Sequence, residues 1–130
     1  MKIYVSHSIR GKFGATATEE QMAANCKKAV QFGKLLRLNF PQIEWYVPAE
    51  HDDFVRRAYQ KNYLTESEIL DIDCEILKTC NGLLVYIPDD YISMGMQIEI
   101  SYAAKNNIPH VLIKEQQWDR TREFLEKINV

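Results

Sequence analysis

Apolar residues in this chain follow two rhythms that alternate along its length. Short β-prone runs occupy Lys2 to Ser6, Ile43 to Val47, Gly82 to Ile87 and Ile108 to Ile113. Between them apolar residues recur at helical spacing: Met22, Cys26, Ala29, Val30, Gly33 and Leu36 in one stretch, Ile69, Ile72, Ile76, Leu77 and Cys80 in another. The run from Gly82 is apolar throughout, as a strand covered on both faces must be. Local chemistry marks where the helices begin and end. Thr18 with Gln21, and Thr65 with Glu68, have the spacing of capping boxes. Pro41 stops the first helix near Asn39. Asn106-Asn107 suits a left-handed cap. The spacing also predicts a short helix carrying Phe54, Val55, Ala58 and Tyr59, and a last one from Trp118 to Lys127 with Phe124, Leu125 and Ile128 inward. Lys12 to Ala17 reads as an irregular extension of the first loop.

The resulting order is β-α-β-α-α-β-α-β-α. Such alternation predicts one α/β domain over residues 1–130, with an open parallel sheet and helices on both faces. The expected arrangement is three-layer and flavodoxin-like, with strand order 2-1-3-4 and room for a fifth strand. The first helix is expected on one face and the later ones on the other. The switch point then falls between strands one and three, and ligands bind there, at the carboxyl ends. The loops that meet at that crevice are Ser6 to Gly11 and Pro88 to Ser93.

Composition narrows the partners. An apolar content of 46% and a charged content of 26% are ordinary for a globular protein. A net charge of -2, without a Lys/Arg run, argues against nucleic acid as a partner. No apolar stretch reaches the length of a membrane helix, and the first residues lack the apolar core of a signal peptide, so a cytoplasmic protein with no membrane partner is expected. Cys26, Cys74 and Cys80 form no metal-type pair and read as reduced and mostly buried.

Candidate chemistry gathers around the crevice. Ser93 and Gly95 open the helix after strand three, where a hydroxyl and free N–H groups can hold a phosphate or carboxylate, or where Ser93 can simply cap the helix. Glu99 lies on the same helical face as Gly95, either as a reactive carboxylate or as a solvated one. Asp73 falls on or beside the apolar face of its helix, satisfied by a neighbour such as Tyr4 or holding a proton because of burial. Two carboxylates in different environments are what glycoside cleavage uses. Ser8-Ile9-Arg10-Gly11 offers a hydroxyl, a guanidinium and a flexible backbone, although a lone Arg is most often only a surface residue. His7 and His51 sit in crevice-side loops and are candidate ligand contacts, whereas His110 reads as structural. Neither a P-loop nor a dinucleotide Gly fingerprint is present, and no spacing suggests a metal site, so no cofactor is expected.

Three of these motifs, in this order, carry a resemblance. Ser8-Ile9-Arg10-Gly11, Asp73, and Ser93-x-Gly95-x-x-x-Glu99 together resemble the nucleoside 2-deoxyribosyltransferase superfamily over Lys2 to Ile113. By motif the chain is most similar to its 2'-deoxynucleoside 5'-monophosphate N-glycosidase branch. The resemblance implies a flavodoxin-like fold and a homodimer or larger assembly. It implies that Glu99 is the nucleophile attacking C1' and that Asp73 assists departure of the base. It also implies that Tyr4 contacts the nucleophile, and that Ser8, Ile9, Arg10, Gly11, Ser93 and Gly95 hold the 5'-phosphate and sugar. His7 stands where the relatives usually have a small residue, and Lys12 to Thr18 and Asp52 to Leu64 are longer than that branch leads one to expect. The expected activity is hydrolysis of a (deoxy)nucleoside 5'-monophosphate to free base and sugar phosphate. Its rivals are transfer of the deoxyribosyl group to another base and a non-catalytic nucleotide sensor. A TIR-like NAD hydrolase is a further alternative, but its signature loops are not evident.

Overall fold

The computed structural model describes residues 1–129. Four strands, β1 (Lys2–Ser6), β2 (Glu44–Tyr46), β3 (Gly82–Tyr86) and β4 (His110–Ile113), form one parallel sheet in the order β2-β1-β3-β4. The helices are α1 (Glu19–Asn39), α2 (Asp52–Gln60), α3 (Glu66–Lys78), α4 (Met94–Lys105) and α5 (Trp118–Ile128). This is the three-layer, flavodoxin-like open sheet expected from the alternation, with four strands among the described residues and no fifth.

Alternation along β1 and β3 divides the interior into two cores. Ile3, Val5, Leu84 and Tyr86 face α1 and α5, where they meet Ala29, Phe32, Leu36 and Phe124. Tyr4, Leu83 and Val85 face α3 and α4, where they meet Leu77, Met96 and Ala103. The expected distribution of helices needs one correction, since α5 joins α1 instead of following α3 and α4. The reason is β4, which sits at the sheet edge beside β3, so that the helix after it packs back over Tyr86 and Ile113 on the α1 face.

The predicted stops and starts are present. In both capping boxes the threonine hydroxyl accepts from the backbone N–H three residues on, and the Gln21 or Glu68 side chain accepts from the threonine N–H. Asn107 is left-handed at φ 57°, which lets the Ile108 N–H reach the Ala103 carbonyl at 2.8 Å and close α4. Gly11–Thr16 departs from the irregular loop expected there. It winds into 3-10 turns kinked at Gly14, whose φ of 57° suits glycine. Asp52–Gln60 is helical as expected, but none of its residues is buried, and Phe54 and Tyr59 are exposed. Cys26 and Cys80 are buried and Cys74 is half-buried, all as free thiols. No helix among the described residues is long and apolar enough to cross a membrane.

Candidate active site

The parallel register places three polar side chains together where apolar ones would ordinarily stand. Tyr4 and Ser6 lie on one face of β1, two residues apart, and point toward α3 and α4. On α4 the inward positions are Met96, Glu99 and Ala103. Glu99 is therefore a core position occupied by a carboxyl, only 6% exposed. The Ser6 hydroxyl, itself buried, donates to Glu99 Oε1 at 2.8 Å. Burial pushes the Glu99 carboxyl up to about 7, with Asp73 adding to the rise while Tyr4 and Ser6 oppose it. Asp73, half-buried on α3, is pushed up to about 6 by burial. The Tyr4 hydroxyl is buried between these acids without a well-formed hydrogen bond, and burial together with Glu99 and Asp73 holds its proton well above the usual range.

The set thus holds two carboxyls whose protons come off near neutrality, with a phenol and a hydroxyl beside one of them. Chemically, it can present an ionised carboxylate and a protonated acid within one crevice at the same pH. Among the described residues no group of three His, Cys, Asp or Glu is placed to hold a metal ion.

Two contributors escaped the sequence reading. Ser6 is one, although its place two residues after Tyr4 on an alternating strand was a usable signal. Tyr46 is the other. It pairs with Tyr4 in the β1–β2 register, their rings 5.5 Å apart, and His51 stacks on its outer side at 5.5 Å. An aromatic run therefore leads from the exposed His51 through Tyr46 to Tyr4. Burial and Asp73 raise the Tyr46 hydroxyl, so this run borders the acids too.

The remaining predicted residues divide between the two sides of the crevice. Ser8 Oγ accepts from the Gly11 N–H at 2.8 Å, Asn25 Nδ2 donates to the Ile9 carbonyl at 2.9 Å, and Gly11 takes a left-handed φ of 61°. A Cβ on Gly11 would come within 2.9 Å of Asn25 Nδ2, the end of a side chain that can shift, so it is the left-handed dihedral that calls for glycine here. His7, Ser8 and Gly11 line a small pocket against α1. Ile9 is exposed, and Arg10 reaches the other way, 3.5 Å from Glu66 at the start of α3. Ser93 Oγ accepts from the Met96 N–H at 3.2 Å, so it does cap α4. Gly95 is half-buried, and a Cβ there would meet Leu70 at an ordinary 3.6 Å. Neither Ser93 nor Gly95 lines the α1-side pocket.

No protein-family model matches the sequence, and no curated protein matches it.

Proposed function

We propose that this protein hydrolyses the N-glycosidic bond of a (deoxy)nucleoside 5'-monophosphate, releasing free base and sugar 5-phosphate through a covalent glycosyl-Glu99 intermediate. The observation that carries this reading is Glu99 itself, a carboxyl kept in a buried helix position and hydrogen-bonded by Ser6. An uncompensated carboxylate there opposes folding, so the reading attributes its presence to chemistry. In the proposed reaction the ionised Glu99 attacks C1' as the bond to the base breaks. Asp73 gives its proton to the departing base. Water then attacks C1' as it gives a proton back to Asp73, which breaks the bond to Glu99 and returns Glu99 as a carboxylate. Ser6 and Tyr4 orient the nucleophile and share its charge.

The Ser8–Gly11 loop supports the phosphate half of the reading. The backbone N–H groups of Ser8, Ile9 and Arg10 make no hydrogen bond among the described residues, and Arg10 (φ -83°, ψ -20°) followed by left-handed Gly11 is the backbone sequence of an anion-holding nest. Arg10 adds a guanidinium at the rim, Ser93 and Gly95 approach the sugar from the α4 side, and His51 borders the base. A homodimer or larger assembly belongs to the same proposal, supported by Ile72, Met94 and Ile98, which leave apolar surface exposed on α3 and α4.

Incubation with a panel of nucleoside and deoxynucleoside monophosphates, with detection of free base, tests the reaction. Base release from at least one of them, abolished by Glu99→Gln, is expected. Release at the wild-type rate from Glu99→Gln sinks the mechanism. A new nucleoside formed when a second base is supplied marks transfer, the second reading of the same site.

A further inference from the structure

The sheet ends at β4, and the outer edge of that strand is open. In the parallel ladder with β3, the Pro109 and Ile113 carbonyls accept from the Leu83 and Ile87 N–H groups, so Pro109, Val111 and Ile113 turn their backbone groups inward. His110 and Leu112 therefore turn theirs outward. Of those four outward groups one is met, the Leu112 carbonyl, which accepts from Arg120 Nε at 2.9 Å. The His110 N–H, the His110 carbonyl and the Leu112 N–H make no hydrogen bond among the described residues. A row of unpaired edge groups is a template for one more strand. Beside this edge lies a groove of about 430 Å³ between β4 and α5. Val111, Phe124 and Ile128 give it an apolar floor, and Arg120, Glu123 and Lys127 stand exposed along it. Neither Arg120 nor Lys127 has a carboxylate within ion-pair distance among the described residues.

We propose that the β4 edge and this groove take up an extended acidic segment of a partner protein as a fifth strand, with the pattern acidic-x-apolar-x-acidic. Alternate residues of an added strand face the same side. The apolar one lies on Val111 and Phe124, and the two acidic ones reach Arg120 and Lys127. The spacing fits. Arg120 and Lys127 are seven residues apart on α5, about 10 Å along the helix, and residues four apart on a strand span about 13 Å. At the Leu112 end an incoming backbone N–H replaces Arg120 on the Leu112 carbonyl and releases the guanidinium to a carboxylate. Charge also decides against a second copy of this chain. α5 runs back along β4, with Arg120 beside Leu112 and with Phe124 and Ile128 beside Gly82, one residue before Leu83, which pairs with His110. The two-fold axis that satisfies all four outward groups pairs His110 with Leu112 of the other copy. It therefore sets each Arg120 toward the other copy's Lys127 and one Glu123 toward the other, so that like charges meet. The proposal is independent of the chemistry assigned to Glu99.

The probe is the acetylated and amidated peptide Thr-Glu-Thr-Val-Thr-Glu-Thr, followed through the His110 and Leu112 amide resonances. Both are expected to shift and to saturate, and raising the salt concentration should weaken binding. The same peptide with lysine in place of both glutamates should bind about tenfold more weakly or worse. Arg120→Gln and Lys127→Gln should each weaken the glutamate peptide by about threefold, and Glu123→Gln should tighten it by about twofold, as the loss of one exposed attraction or repulsion implies. Leu112→Pro deletes an outward N–H, keeps the ladder to β3 and should abolish binding. Lys34→Gln, exposed on α1 and outside the groove, should leave binding unchanged. Arg120 and Lys127 are exposed, so the test stands on their variants even if Leu112→Pro fails to fold. Unmoved His110 and Leu112 amides in the wild type, or equal binding of the lysine and glutamate peptides, overturns the proposal. Movement of those amides with protein concentration in the absence of peptide overturns it too, because a second copy then occupies the edge.

Discussion

Ser6 Oγ and Glu99 Oε1 meet at 2.8 Å across 93 residues of sequence, joining the end of β1 to the inner face of α4. The bond ties the central strand to the carboxyl that the proposed chemistry uses, and it opposes the effect of burial on that carboxyl.

That carboxyl should destabilise the fold at neutral pH. Its folded pKa of about 7 lies above the ordinary carboxylate value, so the native state retains a proton that the unfolded state has lost. Stability contributed by the protonated form is present at low pH and declines as pH rises from the unfolded pKa toward 7, after which the loss is complete. Glu99→Gln removes the titration. At pH 8 it should be more stable than wild type by about 3 kcal/mol, and at pH 5 by less than about 1 kcal/mol. Urea midpoints at the two pH values check this, and an equal difference at both would show that Glu99 does not titrate in this range.

The two carboxyls should also shape the rate. An attacking Glu99 must be ionised and a donating Asp73 protonated, yet Glu99 at about 7 holds its proton more tightly than Asp73 at about 6, so the reactive form is the minor, reverse-protonated one, less than about a tenth of the protein at its maximum. The two sites interact, so the limbs belong to the pair. The proposed hydrolysis should therefore show a bell-shaped kcat/KM with its maximum between about 6 and 7. A plateau extending through pH 9 would exclude Asp73 as a required acid.

Removing the groups that hold Glu99 should move its proton in a known direction. Ser6→Ala and Tyr4→Phe each take away a contact that lowers the Glu99 pKa, so both should raise it further. Activity at pH 6 should fall by about tenfold for Ser6→Ala, with partial recovery at higher pH. At pH 5, where Glu99 keeps its proton, Tyr4→Phe deletes a buried hydroxyl that lacks a well-formed hydrogen bond and should leave stability unchanged or slightly improved. At pH 8 the higher Glu99 pKa should make it less stable than wild type. A pH profile with unmoved limbs in both variants would show that neither group acts on the carboxyl.

Two glycines separate site effects from fold effects. Gly11→Ala forces an alanine into a left-handed turn against Asn25 and should cost about 1–2 kcal/mol while weakening substrate binding. Gly82→Ala places a Cβ 2.6 Å from Ile128 Cδ1 and 3.0 Å from both Ile3 and Phe124, at the far end of β3. It should cost about 1–3 kcal/mol by overpacking and leave KM unchanged. Thermal melts beside steady-state kinetics distinguish the two patterns.

Much of the architecture was legible from the chain. Periodicity and capping chemistry act over a few residues, so the Thr18–Gln21 and Thr65–Glu68 boxes, the Asn107 stop and the strand order could be anticipated from local rules. Which face α5 covers was not legible, because that depends on which apolar layer Phe124 and Leu125 close, here the one shared with α1.

At the site the same division holds. Residue type and spacing alone marked Glu99, Asp73 and the Ser8–Gly11 loop as candidates and gave them a common crevice through the switch-point rule. Tertiary structure decided what each of them faces. It paired Glu99 with Ser6, set Tyr46 and His51 behind Tyr4, turned Arg10 to Glu66 and put Lys28 beside His7. These pairings join distant segments through strand register and helix packing, and burial supplies the low-dielectric surroundings that raise Glu99 and Asp73. A carboxyl's partners and its solvent are properties of the assembled layers, which no local window of sequence contains.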